Sequence, residues 1–327
     1  MSALICGSIA YDNIMAFDDS FQNHILPDQI HILSVAFLVP KLRREFGGCA
    51  LNIAYNLKLL GDEPVPMGTA GQDFAPYQVW LDKHGIRREH IRVLDDVFTA
   101  QAYITTDIDD NQIILFHPGA MEHSHVNKVE DATGVTIGII SPDGRTGMLE
   151  HAAQFSAAGI PFVFDPGQGL PMFGNDELKH FIEQSSWVTV NNYEWEMLKD
   201  RTGWDTNAVK ERTKALIVTR GADGSIIYTK DEDIHIPSVK PNIVNDPTGC
   251  GDAYRAGLLF GLMHGWEWLT IGRVASLMGA IKIECYGTQN HFFSMQDFEK
   301  RFKDSFGSAM GLSLIHISEP TRPRLIS

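Results

Sequence analysis

The chain has 327 residues, 44% hydrophobic and 21% charged, enough apolar content for one large globular domain or two moderate ones. A formal charge of −14 argues against a nucleic-acid or anionic-membrane partner, because both recruit clustered Lys and Arg. No apolar run approaches the ~18 residues of a membrane span, and Cys6, Cys49, Cys250 and Cys285 are scattered with no paired spacing. A soluble cytoplasmic protein with reduced thiols is expected. His123-Ser124-His125 has neither a HExxH nor a Cys/His zinc spacing and reads as a surface loop.

Ala3 to Ala10 reads as a buried first strand that Gly7 ends, bringing Tyr11, Asp12 and Asn13 out at the carboxyl end, where ligands of open α/β sheets bind. Residues 16 to 46 are less regular, with an apolar, β-rich run from His31 to Val39 bracketed by Pro27 and Pro40. Gly47-Gly48-Cys49-Ala50-Leu51-Asn52 then opens a helix. Its apolar positions Ala50, Ile53, Ala54 and Leu57 keep helical spacing up to Gly61. A second strand-rich patch, Thr99 to His117 with Asp109-Asp110-Asn111 as its turn, is expected to pair with the 31–39 run.

From residue 135 strands and helices alternate. Val135–Ser141, Pro161–Asp165 and Trp187–Asn191 read as strands, and Gly147–Ala158 and Leu178–Ser185 as helices. Such alternation implies a parallel sheet covered on both faces. Asn191-Asn192-Tyr193-Glu194-Trp195-Glu196 reads as a helix start with acids suited to the dipole. Ala215–Thr219 is the next strand, and Thr219-Arg220-Gly221-Ala222-Asp223-Gly224-Ser225 turns it sharply back. Further on, Ile271–Ile283 offers a small helix face at Ala275, Ser276 and Gly279, and Gln296–Phe306 reads as a closing helix.

The stretch most charged with chemistry is Asn245-Asp246-Pro247-Thr248-Gly249-Cys250-Gly251-Asp252-Ala253, followed at once by a helical run from Tyr254. Two glycines flanking one small residue let backbone N–H groups face an anion, and the helix adds its positive end. Asp252 stands at the mouth of this cradle, placed to take the proton of an attacking hydroxyl. No GxxxxGK[ST] loop is present, so the commonest other phosphate-binding design is absent from the sequence.

Asp246-Pro247-Thr248-Gly249-Cys250-Gly251-Asp252-Ala253 resembles the C-terminal signature of the ribokinase-like (PfkB) family of sugar and nucleoside kinases, with Cys250 where the family usually carries Ala. Gly47 to Asn52 resembles the family's N-terminal signature, and the likeness covers about residues 1 to 306. It implies an α/β ribokinase-like fold: a mostly parallel central sheet with helices on both faces and a small β-rich lid built from segments near 16–46 and 99–118. The kinase domain would span residues 1–311.

The resemblance further implies an ATP-dependent kinase with Asp252 as base and Gly249, Cys250 and Gly251 as anion hole. Asp12, Gly48 and Asn52 would contact the sugar. Asn191 and Glu194 would order the water shell of Mg2+, and Thr219, Gly221 and Gly224 would border the nucleotide. The acceptor would be a nucleoside such as adenosine, or a free sugar of the ribose or fructose kind. The apolar 32–39 run, with Phe37, would suit stacking under a purine, and the chain looks closest to bacterial adenosine-kinase-like members. A binding protein that kept the fold and lost transfer is a third reading, against which the intact Asp252 speaks. Members of this kind are monomers or pair through the lid. Finally, the run from Leu312 to Ser327 resembles a translated sequencing adapter rather than a family ending, and is expected to make no stable contacts.

Overall fold

The first strand is shorter than its apolar run. β1 (Ser2–Cys6) stops before Gly7, and beyond Ile9 the chain enters β2 (Ala10–Ala16), which belongs to a different sheet. Asp12 therefore lies within a lid strand and not at the tip of a central one, which corrects the reading of a single strand from Ala3 to Ala10. The computed structural model describes residues 2–25, 31–32 and 34–310; the adapter-like run 312–327 lies outside the described residues.

After β2 come β3 (Lys41–Gly47), α1 (Cys49–Leu59), β4 (Glu63–Gly71), α2 (Ala75–Lys83), β5 (His90–Leu94), β6 (Ala100–Thr106) and β7 (Gln112–His117). The alternating half follows with β8 (Ile137–Ile140), α3 (Arg145–Ala158), β9 (Phe162–Phe164), α4 (Asn175–Gln184), β10 (Trp187–Asn191), α5 (Asn192–Thr202), α6 (Thr206–Arg212) and β11 (Ala215–Thr219). β12 (Ser225–Tyr228), β13 (Asp233–Ile236), α7 (Cys250–Met263), α8 (Trp268–Ile283) and α9 (Met295–Phe306) complete the order.

The large sheet runs β13-β12-β11-β10-β9-β8-β1-β4-β5, parallel except where β12 and β13 join antiparallel at one edge. β1 sits between β8 and β4, so the chain leaves β1 toward one edge and returns at β8 to build the other. The crevice between their carboxyl ends is the switch point at which open α/β sheets take ligands.

Neighbouring residues of each strand feed opposite cores. Ala3, Ile5, Ala215 and Ile217 pack with α1, α7 and α8, whereas Leu4, Cys6, Leu216 and Val218 pack with α3, α4 and α5. A strand buried on both faces reads as an unbroken apolar run, which is why these strands stand out in the sequence. Among the described residues no helix is long and apolar enough to cross a membrane.

The second sheet is the lid, ordered β3-β2-β6-β7. Here the sequence reading needs correction. Residues 34–39 lie in no strand or helix, and the strand is the charged run Lys41–Gly47, paired antiparallel with β2 from Lys41 opposite Ala16 to Gly47 opposite Ala10. The 99–117 patch does form a hairpin, β6 to β7, but β6 pairs with β2 and not with the 31–39 run. Asp107 makes its turn: the carboxylate accepts the amides of Asp109 and Asn111 at 3.0 and 2.8 Å. Phe37 packs edge-on at 5.0 Å against both Phe17 and Phe21, in a small aromatic cluster of the lid.

Candidate active site

The loop expected to cradle an anion takes its shape from two backbone conditions at the start of α7. Gly249, the residue before the first turn, has φ 79° and ψ 2°, a left-handed conformation in which a side chain is strained, and a Cβ there would stand 3.0 Å from Thr288. Among the first-turn amides of α7, that of Cys250 donates to the Pro247 carbonyl at 3.1 Å, while those of Gly251 and Asp252 have no intrahelical acceptor and add to the positive helix end. Gly251 is exposed, so an anion can reach the loop. Burial pushes the Cys250 thiol up to about 11, and the group stays neutral beside that anion.

Asp246 fixes the loop from below. Its two carboxylate oxygens accept the amides of Thr248 and Gly287, each at 2.9 Å. Burial works against this charge, but the amides outweigh it and hold the group below the usual carboxylate range.

Asp252 lies in the first turn of α7 and faces α1, which packs against that helix. Asn52 donates from Nδ2 to Asp252 Oδ2 at 2.8 Å, and its own Oδ1 accepts from Gln289 Nε2 at 2.9 Å. Gln289 is held by Trp80 Nε1 at 2.9 Å and by Tyr77 OH at 2.6 Å, so a buried relay fixes the amide that reaches Asp252. Burial pushes Asp252 up to about 6; Arg255 pulls it down and Asp165 pushes it up. At neutral pH the group is then ionised and its basicity is higher than that of a free carboxylate.

Arg255, one helical turn on, is buried and pairs with Asp165 at the carboxyl end of β9, donating from Nη2 to Oδ1 at 2.6 Å. Ser141, just after β8, donates to Asp165 Oδ2 at 3.0 Å. The guanidinium also lies beneath Gly251, where a Cβ would meet Nη1 at 2.7 Å. The sequence reading did not single out Arg255 or Asp165. An acid ending a strand in a parallel sheet, and a basic residue three positions after Asp252, were the available signals.

The other expected residues fall in three places. Asp12 faces the cradle from the lid, and burial, followed by the charges of Asp252, Asp246 and Glu45, pushes it up to about 6. Gly48, with φ 88°, caps α1 so tightly against the β1–β2 crossing that a Cβ would meet Ser8 O at 2.5 Å and Ala10 N at 2.6 Å. Its glycine requirement is thus explained by backbone packing alone.

Asn191 and Glu194 form a reciprocal capping box at the start of α5: Asn191 Oδ1 accepts the Glu194 amide at 2.8 Å, and Glu194 Oε2 accepts the Asn191 amide at 2.7 Å. Burial first, then Asp165, raises the Glu194 carboxyl above its ordinary value. Thr219 is the register partner of Asn191, and Gly221 and Gly224 close the β11–β12 turn beside it. These residues border the same sheet end as the cradle, without sharing its hydrogen-bond relay.

Among the described residues no cluster of three or more His, Cys, Asp or Glu could hold a metal. The donor set fits a magnesium ion carried by phosphates and water, the way this ion commonly binds, rather than an all-protein cage.

The pfkB family carbohydrate kinase model matches residues 12–293, which include both glycine signatures. A nucleoside kinase of Methanocaldococcus jannaschii is 32% identical over 255 residues, 77% of this chain and 84% of the relative. The solved structure of a Burkholderia thailandensis nucleoside kinase in complex with inosine is similar at a TM-score of 0.87 and 49% identity, covering 94% of this chain and 99% of that one. The same kinase in complex with ADP-inosine gives 0.84 and 51%, covering 94% and 97%. The chain belongs to the pfkB family of carbohydrate kinases and is a phosphotransferase with an alcohol group as acceptor.

Proposed function

We propose that this chain phosphorylates a nucleoside with ATP. The observation that carries the chemistry is Asp252: an ionised carboxylate of raised pKa, held by Asn52, at the mouth of the Gly249–Gly251 cradle. The acceptor hydroxyl gives its proton to Asp252 as its oxygen bonds to the γ-phosphorus, and the bond from phosphorus to the bridging oxygen breaks to release ADP. Cradle amides and the α7 N-terminus take up the charge of the transferring group. Magnesium, when bound with ATP, neutralises phosphate charge, and Glu194 with Asn191 would hold its water shell.

Asp12 accepts from ring hydroxyls, for which a carboxylate with two oxygens is suited. Asn52 then serves both sugar and base, and Thr219, Gly221 and Gly224 flank the nucleotide. The nucleoside class is supported by the inosine and ADP-inosine complexes of the Burkholderia kinase. Phe37 adds nothing to that support, because its ring packs against Phe17 and Phe21. Residues 1–311 make up the kinase domain in this reading, and deleting 312–327 would leave activity and melting temperature unchanged.

A screen of ADP release across inosine, adenosine, cytidine, ribose, fructose and fructose phosphates tests the proposal. Highest kcat/KM on a purine nucleoside is expected; highest kcat/KM on a free sugar or sugar phosphate would replace the nucleoside reading with a sugar-kinase one.

A further inference from the structure

Two buried cations flank the Asn245–Asp252 loop, and the site described above accounts only for Arg255, which pairs with Asp165. The other is Lys282, in the last turn of α8, with 0% of its surface exposed. Its Nζ donates to the backbone carbonyl of Asp246 at 2.8 Å and to that of Cys285 at 3.2 Å. Asp246 is the residue whose carboxylate gathers the Thr248 and Gly287 amides, while the Ile283 carbonyl accepts the amides of Asn245 and Asp246. The contacts that set the loop's height thus converge on one peptide, and the ammonium sits under it.

Placing a charge there is costly. Burial lowers the Lys282 pKa from its ordinary value, opposed by the nearby charge of Asp246. An apolar side chain of the same length would fill the space without that desolvation penalty. What an apolar chain could not do is tie two carbonyls from different segments and set a positive charge beside Cys250 and Asp252, both of which feel it.

We infer that Lys282 is a positioning residue for phosphoryl transfer: its ammonium acts as a tethered cation that binds the Asp246 and Cys285 carbonyls, holding the phosphate cradle in shape and adding positive potential beside it. Lys282 touches no reacting atom. The inference rests on reading Gly249–Asp252 as the phosphate cradle.

The test uses Lys282→Met, which keeps length and loses both charge and donors. Turnover and ADP affinity, the latter by calorimetry, should each fall by about 10- to 100-fold, the range seen when a supporting partner of a charged site is removed. The KM for the nucleoside should stay within about twofold, since Asp12 and the lid are untouched. In Lys282→Ala, which leaves the space beside the two carbonyls open, ammonium, methylammonium or potassium chloride should restore part of the same losses by entering it. Tetramethylammonium chloride, too bulky to enter, should not.

Parental turnover and ADP affinity in Lys282→Met, or a folded Lys282→Ala whose loss no small cation relieves, would overturn the inference. If Lys282→Met does not fold, Lys282→Gln decides, because its amide can still donate to carbonyls without the charge. Reduced ADP affinity at parental melting temperature supports the tethered cation, and parental affinity overturns it. Failure of both variants to fold overturns it too, leaving Lys282 a purely structural residue. Asp252→Asn separates this from the cradle reading: if that variant keeps parental turnover, the cradle itself is misassigned. If it is inactive while Lys282→Met is parental, only the lysine inference fails.

Discussion

The two sheets of this molecule obey different rules. In the nine-stranded sheet the strands between the two edges are buried almost throughout: β8 and β9 are buried at all positions, and β1 at all but its first, while the edge strands β5 and β13 keep one buried residue each. In the lid, β3 is exposed over its first four residues and β7 is exposed at every position but one. The large sheet is held by side-chain packing on both faces; the lid is held by its backbone ladder and a few local clusters. A rigid floor that carries the anion cradle and an adaptable cover that carries Asp12 is the division of labour this implies.

The comparison can be broken first at the floor's chemistry. Asp252→Asn keeps the shape and loses the basicity, so turnover should drop by about 10²- to 10⁴-fold with ADP affinity largely retained. Near-parental turnover would remove Asp252 from the role of base.

Packing provides the next contrast. Phe164 is fully buried and stacks on Phe181 with ring centroids 4.5 Å apart. Phe164→Ala should cost about 3–5 kcal/mol in denaturant unfolding. Leu115 of the lid is 67% exposed, and Leu115→Ala should stay within about 0.5 kcal/mol. Similar costs at the two sites would erase the distinction between floor and cover.

A third, smaller effect belongs to the cover alone. Asp12→Ala should raise the KM of every ribose-bearing acceptor by about 10- to 100-fold, as expected for hydrogen bonds to a charged group, with the ATP KM and stability little changed. An equal rise in the ATP KM would place Asp12 in the floor's function instead.

The same contrast decides what the sequence could reveal. Trp187–Asn191 and Ala215–Thr219 were legible to the residue, because strands buried on both faces are unbroken apolar runs. In the lid the cue inverts: an apolar run at 34–39 carries no strand, and the charged Lys41-Leu42-Arg43-Arg44-Glu45 does. Its ladder with β2 is made by backbone groups, and the side chains of its first four residues meet solvent, so hydrophobic patterning carries little information there.

At the site, glycine spacing pointed to Gly249, Gly251 and Asp252 as the proposed cradle and base, because those requirements are local. Asp165, Lys282 and Gln289 were missed, because each draws its meaning from a partner distant in the chain; Gln289 and Asn52 are 237 positions apart. A single lysine among the apolar residues of Ala280-Ile281-Lys282-Ile283 was the one sequence clue to the buried ammonium.

The claim that Asp252, ionised and of raised pKa, takes the acceptor proton is tested most directly by kcat/KM for the nucleoside as a function of pH. Burial raises the folded-state pKa of both Asp252 and Asp12 to about 6, and each works as a carboxylate. Activity should therefore be lost as pH falls through about 6, with a slope steeper than one proton, and level off above it. Asp12→Asn should reduce that limb to one proton, and the residual activity of Asp252→Asn should lack the limb that belongs to the base. A parental profile that is flat from pH 5 to 8, or an unchanged limb in Asp252→Asn, would contradict the account.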